Sequence, residues 1–219
     1  MTRLPKELRK TQLLDAAIAL FARLGYQSAT TAELAKAAGV TEPIIYRHFR
    51  SKKDLFIAVI DRAGESTLEM WDRQLRSSQG PAQRLRRLIG ANPMVRDRGR
   101  GMYRVIAHAT MEIEDPDIQA ALRRHITTLH EFVTNEVRRA QDSGSVSKAF
   151  SPEITAWTLL HLGLGYGILA PLNIPGHAED DRGMRVRDVV TRLMLGPKAT
   201  EQPEGIAAVG RGDGDQPPG

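Results

Sequence analysis

The 219-residue chain predicts an all-α fold of about nine helices. Three observations carry that expectation. Apolar residues recur at three- and four-residue spacings through most of positions 6–195, helix starts are marked by capping residues or first-turn prolines, and no stretch alternates convincingly as a strand would.

The first helix is expected from about Lys6, where Leu14, Ala17, Ile18, Phe21 and Leu24 form one apolar stripe, and it stops at Gly25. Thr30 can accept from the open N–H groups of a helix start, and Glu33 can reach back to the cap, so the second helix begins near Thr31. Leu34 and Ala35 face inward. Gly39 supplies the positive φ of a tight interhelical turn, and Val40 plugs the angle between the helices. Thr41 caps a third helix with Pro43 in its first turn, running to about Phe49. Ile45 and Phe49 lie four apart and belong inside. Glu42, Pro43, Tyr46 and Arg47 are left to an outside partner, with His48 at the edge. A short helix, a tight turn, a second helix and a basic exit make the pattern of a helix-turn-helix DNA reader.

Ser51 caps the fourth helix with Asp54 three residues on, and Leu55, Val59, Leu68 and Leu75 are its inward candidates as far as about Arg76. Gly80-Pro81 opens a short helix through Ile89, and another spans about Gly99 to Ile113. Asp115-Pro116 starts a long one that ends near Ser143-Gly144. Ser151-Pro152 opens the eighth, and Arg185 to Leu195 supplies the last. The uncharged run from Ile154 to His177 is long enough to raise a membrane span. His161, the glycines at 163, 165 and 167, Pro171, Asn173 and Pro175 argue instead for a buried helix. Residues 196–219 are rich in Gly, Pro and charge and should be disordered. The expected domains are 1–50 for DNA binding, 51–195 for regulation, and this tail.

Net charge is +5, but it is unevenly placed. Residues 1–53 hold ten Lys/Arg against four Asp/Glu, a net of +6, which leaves −1 for the remainder. A localised cationic surface suits DNA, whose condensed counterions it releases. The absence of cysteine excludes disulfides and thiolate metal sites, and MTRLPKELRK lacks a secretion signal's apolar core, so the expected location is cytoplasmic.

The spacing of GY at 25–26, TT at 30–31, LA at 34–35, AGVT at 38–41, P-x-x-Y-x-H-F at 43–49 and S-K-K-x-L at 51–55 resembles the TetR family of bacterial transcriptional regulators, over roughly residues 8 to 60. Two departures are Glu42-Pro43, where many members carry Lys-Gly or Ser-Gly, and Ala32, where some carry a base-reading arginine; the second helix should therefore read little sequence here. The resemblance implies a sequence-specific regulator, by default a ligand-released repressor, that binds an inverted-repeat operator on double-stranded DNA as a homodimer. It implies phosphate contacts from Thr30, Thr31, Thr41, Tyr46, His48 and Lys52, and places Glu42, Pro43 and Arg47 nearest base edges, with Arg50 as an extra phosphate contact. Side-chain chemistry agrees: hydroxyls and lysine position a protein on the backbone, arginine pairs with guanine, glutamate accepts from cytosine, and proline touches a thymine methyl.

The eighth helix is apolar nearly all round. Trp157, Leu160, Gly163, Leu164 and Gly167, with Val186, Val189 and Leu193 of the last helix, could build a two-fold four-helix interface of the kind the family uses; the alternative is that both helices lie inside a monomer. An unknown small-molecule effector is also implied by the resemblance. Met70, Trp71, Met102, Tyr103, Ile106, His130 and Phe132 are its candidate contacts, each of which also reads as core.

Catalytic signatures are missing from the chain: no phosphate-binding glycine loop, HExxH or nucleophile elbow appears. His125 and His130 are five apart and off a common helix face, and Glu112, Glu114, Asp115 and Asp117 read as a charged loop feeding a helix start. No enzyme activity, cofactor, metal site or membrane association is expected. A non-specific architectural DNA-binding protein is the alternative, though it would need basic charge over a wider area.

Overall fold

The structure, a computed structural model, describes residues 5–93, 97–169, 172–177, 179 and 184–195. Nine α-helices and no strand occur among them: α1 (Lys6–Ser28), α2 (Thr31–Ala38), α3 (Glu42–Tyr46), α4 (Lys52–Leu75), α5 (Pro81–Gly90), α6 (Asp97–Ala109), α7 (Pro116–Asp142), α8 (Pro152–Leu169) and α9 (Val186–Leu195). The tail at 196–219 lies outside the described residues.

Local chemistry sets most of these boundaries. Thr30 Oγ1 accepts from the Glu33 N–H at 3.2 Å while Glu33 Oε2 accepts from the Thr30 N–H at 3.0 Å, a complete capping box. Ser51 Oγ accepts from the Asp54 N–H at 3.0 Å, and Asp115 Oδ1 accepts from the N–H groups of Asp117 and Ile118 at 3.0 and 3.3 Å. Gly39 sits at φ 63°, ψ 36°, so its left-handed turn lets Val40 donate back to the Ala35 carbonyl. Gly25, at φ 74°, breaks α1 so that residues 26–28 veer from its axis.

Three expectations need correction. Regular α3 ends at Tyr46, three residues early, because the Arg47 N–H bonds the Pro43 carbonyl and the His48 and Phe49 N–H groups share the Ile45 carbonyl, which tightens the last turn. The sixth helix gives way at Thr110–Glu112 to a 3₁₀ turn. The run from Ile154 to His177 is not one buried helix: α8 stops at Leu169, and Ile154, Leu162, Ile168, Leu169, Leu172 and Ile174 are all exposed. Among the described residues, neighbours cover only one face of α8.

Two apolar clusters hold the bundle together. The first joins α1, α2 and the Ile45 and Phe49 side chains to the N-terminal half of α4, to α6 and to the start of α7. At its centre Phe21 and Phe56 are wholly buried and meet edge to face at 4.9 Å, with the Tyr26 ring 4.6 Å from Phe56. The second cluster gathers Trp71, Leu75, Leu85, Leu129, Val133, Val137 and Leu160 from α4, α5, α7 and α8. The first core thus runs across position 50, since α4 and α6 contribute to it as much as the helices before them.

Candidate nucleic-acid interface and the cavity behind it

Burial of Leu34, Ala35, Ala38, Ile45 and Phe49 fixes how α2 and α3 lie on α1 and α4, and it decides which side chains face out. Pro43, Tyr46 and Arg47 are exposed, Tyr46 by half of its surface. The Arg47 guanidinium has no hydrogen-bond or ion-pair partner among the described residues. The Thr41 side chain makes no capping bond although the residue occupies the cap of α3. Thr30 is committed to the capping box, whose bonds from the Thr30 backbone and hydroxyl hold the Glu33 carboxyl below its ordinary value.

Thr31 donates to Glu42 Oε2 at 2.7 Å, and the Tyr46 hydroxyl lies 3.4 Å from the same Thr31 oxygen. The half-buried Glu42 therefore pins the start of α3 to the start of α2. His48 is half-buried, with Nδ1 enclosed and unpartnered. Arg50 pairs with Asp54 at 3.0 Å yet keeps an exposed guanidinium, and that pairing draws the Asp54 carboxyl below its usual range.

Lys52 is placed differently from the rest. Its Nζ donates to the carbonyls of Tyr26, Ala29 and Gln27 at 2.9, 3.0 and 3.4 Å and sits 4.5 Å from the centre of the Tyr26 ring. All three ammonium donors are thus spent on the frayed end of α1, where the helix dipole also favours a cation. Sequence spacing gave no sign of this, because the three carbonyls lie more than twenty residues away. Lys52→Met is expected to lower stability by ~1–2 kcal/mol in urea denaturation, since it orphans carbonyls at a partly exposed site.

Other residues tie this head to the body and were not foreseen. Gln12 Nε2 donates to the Ala38 carbonyl at 2.9 Å, closing the end of α2 onto α1. Lys53 reaches Asp115 at 3.1 Å and Asp117 at 2.7 Å beside the start of α7, and these two bonds raise its pKa. The His108 ring rests against Gly25, with Nδ1 3.4 Å from where a Cβ would stand.

Behind the head lies a cavity of about 430 Å³ walled by α4 to α9. Of the seven expected effector contacts, Trp71 and Tyr103 line it. Met70 and Met102, again with Tyr103, border a separate open cleft of about 950 Å³ between α1, α4 and α6. Ile106 belongs to the first core, and Phe132 packs on Trp71 at 5.4 Å. His130 stacks on Trp157 at 4.2 Å, its Nε2 3.0 Å from the Glu153 carbonyl. Burial pushes the Tyr103 phenol up to about 12, so it remains a protonated partner for Thr67 at 3.1 Å.

The residues expected at a subunit interface divide sharply. Leu160, Gly163 and Leu164 turn inward and line the cavity, Gly167 is buried, and Trp157 is held by His130. Val186, Val189 and Leu193 are exposed, Leu193 by 81%. On α8 the open apolar face is Ile154, Leu162, Ile168 and Leu169, running past Gly165, whose missing side chain meets open space.

Among the described residues no group of three or more His, Asp or Glu side chains could hold a metal ion, and no helix is long and apolar enough to cross a membrane.

Residues 13–59 match the family profile described as "Bacterial regulatory proteins, tetR family". The head of the chain is therefore a TetR-family DNA-binding region. The chain is 39% identical over 89 residues to the HTH-type transcriptional activator FasR of Mycolicibacterium smegmatis, a stretch covering 41% of each chain, so it matches less than half of that relative's length. It is 29% identical over 151 residues, 69% of this chain and 75% of the other, to the nucleoid occlusion factor SlmA of Marinobacter nauticus. The fold matches the fatty acid degradation regulator FadR of Bacillus halodurans with a TM-score of 0.70 at 16% identity, over 89% of this chain and 97% of that one. The profile match makes residues 13–59 the DNA-binding head of a bacterial regulatory protein, and the structural likeness extends the fold over the rest.

Proposed function

We propose that this regulator binds an inverted-repeat operator as a homodimer, and that a small molecule in the cavity between α4 and α9 releases it. Residues 1–50 form the DNA reader in this reading, and 51–195 hold the effector and the subunit interface. The carrying observation is Arg47: a guanidinium presented in the open, without a partner among the described residues, just past a short helix fixed from beneath by Ile45 and Phe49. Such a group on the outer face of the second helix of a helix-turn-helix is placed to pair with a guanine edge in the major groove.

Pro43 stands beside it for a thymine methyl. Glu42 reads from a carboxylate already anchored by Thr31 and keeps lone pairs for a cytosine amino group. The Thr41 hydroxyl, Thr31, Tyr46, His48 and Arg50 meet phosphate, and Thr30 contributes through the helix start that it caps. Lys52 acts through its charge and its grip on α1, since its N–H groups are already taken. The subunits join through the open faces of α8 and α9, namely Ile154, Leu162, Ile168 and Leu169 with Val186, Val189 and Leu193. Burying these residues against a second copy removes an apolar patch that water would otherwise cover. Occupancy of a promoter by such a dimer blocks polymerase, hence repression.

Selection of bound fragments from a random DNA pool tests the reading. The expected product is a two-fold symmetric site with half-sites one helical turn, ~34–36 Å, apart or a multiple of it. Arg47→Ala should cost ~1–3 kcal/mol of affinity and relax preference at one base of each half-site. Unsymmetrical products would end the dimer proposal, and an unchanged preference in the variant would end the role of Arg47.

A further inference from the structure

Apart from the Tyr166 hydroxyl, the polar side chains deep in the cavity are already matched to the protein itself. Trp71 Nε1 donates to the Ala91 carbonyl at 2.9 Å, Asn92 Nδ2 donates to the Gly163 carbonyl at 2.7 Å, and the Tyr103 hydroxyl is bonded to Thr67. What remains along the walls is hydrocarbon, supplied by Leu88, Leu129, Val133, Leu159, Leu160 and Leu164. A ligand carrying hydroxyls along its length would surrender water there and find no replacement, a loss that disfavours polyols strongly.

Charge enters at one end only. Glu179, Arg185 and Arg187 line the mouth, together with Val186, where α9 begins. Glu179 holds Arg185, and Asp188 stands 3.5 Å from Arg187 Nε while accepting from the Arg185 N–H, so the two guanidiniums are anchored by two carboxylates, each through Nε. Arg185 spends its Nε on Glu179 at 2.8 Å, and its two terminal amino groups bond nothing among the described residues. The mouth is thus arranged to receive an anion without dismantling the existing pair.

We propose that the cavity takes an amphiphilic carboxylate, with its hydrocarbon body inside the bundle and its carboxylate on Arg185 and Arg187. This rests on the reading of the cavity as the effector site. At about 430 Å³ the space suits one medium-length chain or an aryl acid, and not a bulky multi-ring molecule.

Calorimetry and Trp71 fluorescence, the latter in a Trp157→Phe background, test it with decanoate, decanol, decylamine and glucose at concentrations below micelle formation. Decanoate should bind, quench Trp71 and exceed decanol and decylamine by at least ~10-fold, with no binding of glucose. Because both arginines lie at the mouth and not in the core, the double variant Arg185→Gln/Arg187→Gln should fold; it should bring decanoate down to the level of decanol and leave decanol itself unchanged. Equal binding of decylamine, binding of glucose, absence of decanoate binding, or a double variant that still prefers decanoate would overturn the proposal. DNA affinity measured in parallel separates the two readings: decanoate that binds and quenches Trp71 without changing DNA affinity upholds the ligand class and removes the effector role.

Discussion

Phe56→Ala is expected to destabilise the protein by ~3–5 kcal/mol, a large part of the whole stability of a domain this size. The ring is wholly buried, contacts Phe21 edge to face at 4.9 Å and Tyr26 at 4.6 Å, and joins α4 to both arms of the broken α1. Its loss removes apolar burial and two aromatic pairs, and it leaves a void that helices fixed by caps on either side cannot easily close. Chemical denaturation gives the free energy directly. DNA affinity should fall as well, because α1 and α4 are the surfaces on which the reading helices rest. A loss below ~1 kcal/mol would mean that this cluster is not the keystone of the first core.

Acidification from pH 7 to pH 4 should remove up to ~3 kcal/mol through one residue, His125. The imidazole lies between α4, α6 and α7, almost wholly buried, with neither ring nitrogen hydrogen-bonded, and its Nδ1 stands 3.1 Å from the Cβ position of Gly64. Tyr103 meets it edge-on at 5.8 Å, and the nearest charge that matters is Asp61, itself paired with Arg124. Burial dominates and depresses the pKa from 6.5 to about 4, the Asp61 charge opposing it. The unfolded chain thus takes up a proton near pH 6.5 that the folded protein refuses until about pH 4. The contribution is complete above pH 6.5 and drains away as the pH falls between these values. Carboxylates held low by their partners, such as Asp54 and Glu33, lose their contribution only below their ordinary values of 3.8 and 4.5, so most of the His125 window lies above theirs. Denaturation midpoints across pH 4–7 should slope in the natural protein and flatten in His125→Leu; an unaltered slope in the variant would assign the acid response elsewhere.

What could be read in advance followed the range of the interactions. Thr30 with Glu33, Gly39, and Ser51 with Asp54 act within a few residues, so the chain displays both partners side by side, and the starts of α2 and α4 stand where those residues put them. The end of α3 was harder, because the bifurcated bonds to the Ile45 carbonyl depend on how Phe49 docks into a core built by distant segments. For α8 the difficulty was rotational. A helix apolar on every side carries no periodic signal of its phase, and only packing against α7 turns Leu160, Gly163 and Leu164 inward while leaving Ile154 and Ile168 outside. The carbonyl partners of Lys52, and the Arg185–Glu179 mouth, join positions that only the folded path brings together.

One feature of α6 bears on how the molecule can respond. Tyr103 lines the apolar cavity and also belongs, with Val105, Ile106 and Ala109 of the same helix, to the core beneath the head. On the proposed reading, occupant and reader bear on the same helix, and a rolling or sliding of that rod by a fraction of its pitch is felt at both. No relay of side chains has to be invoked to carry news across the protein.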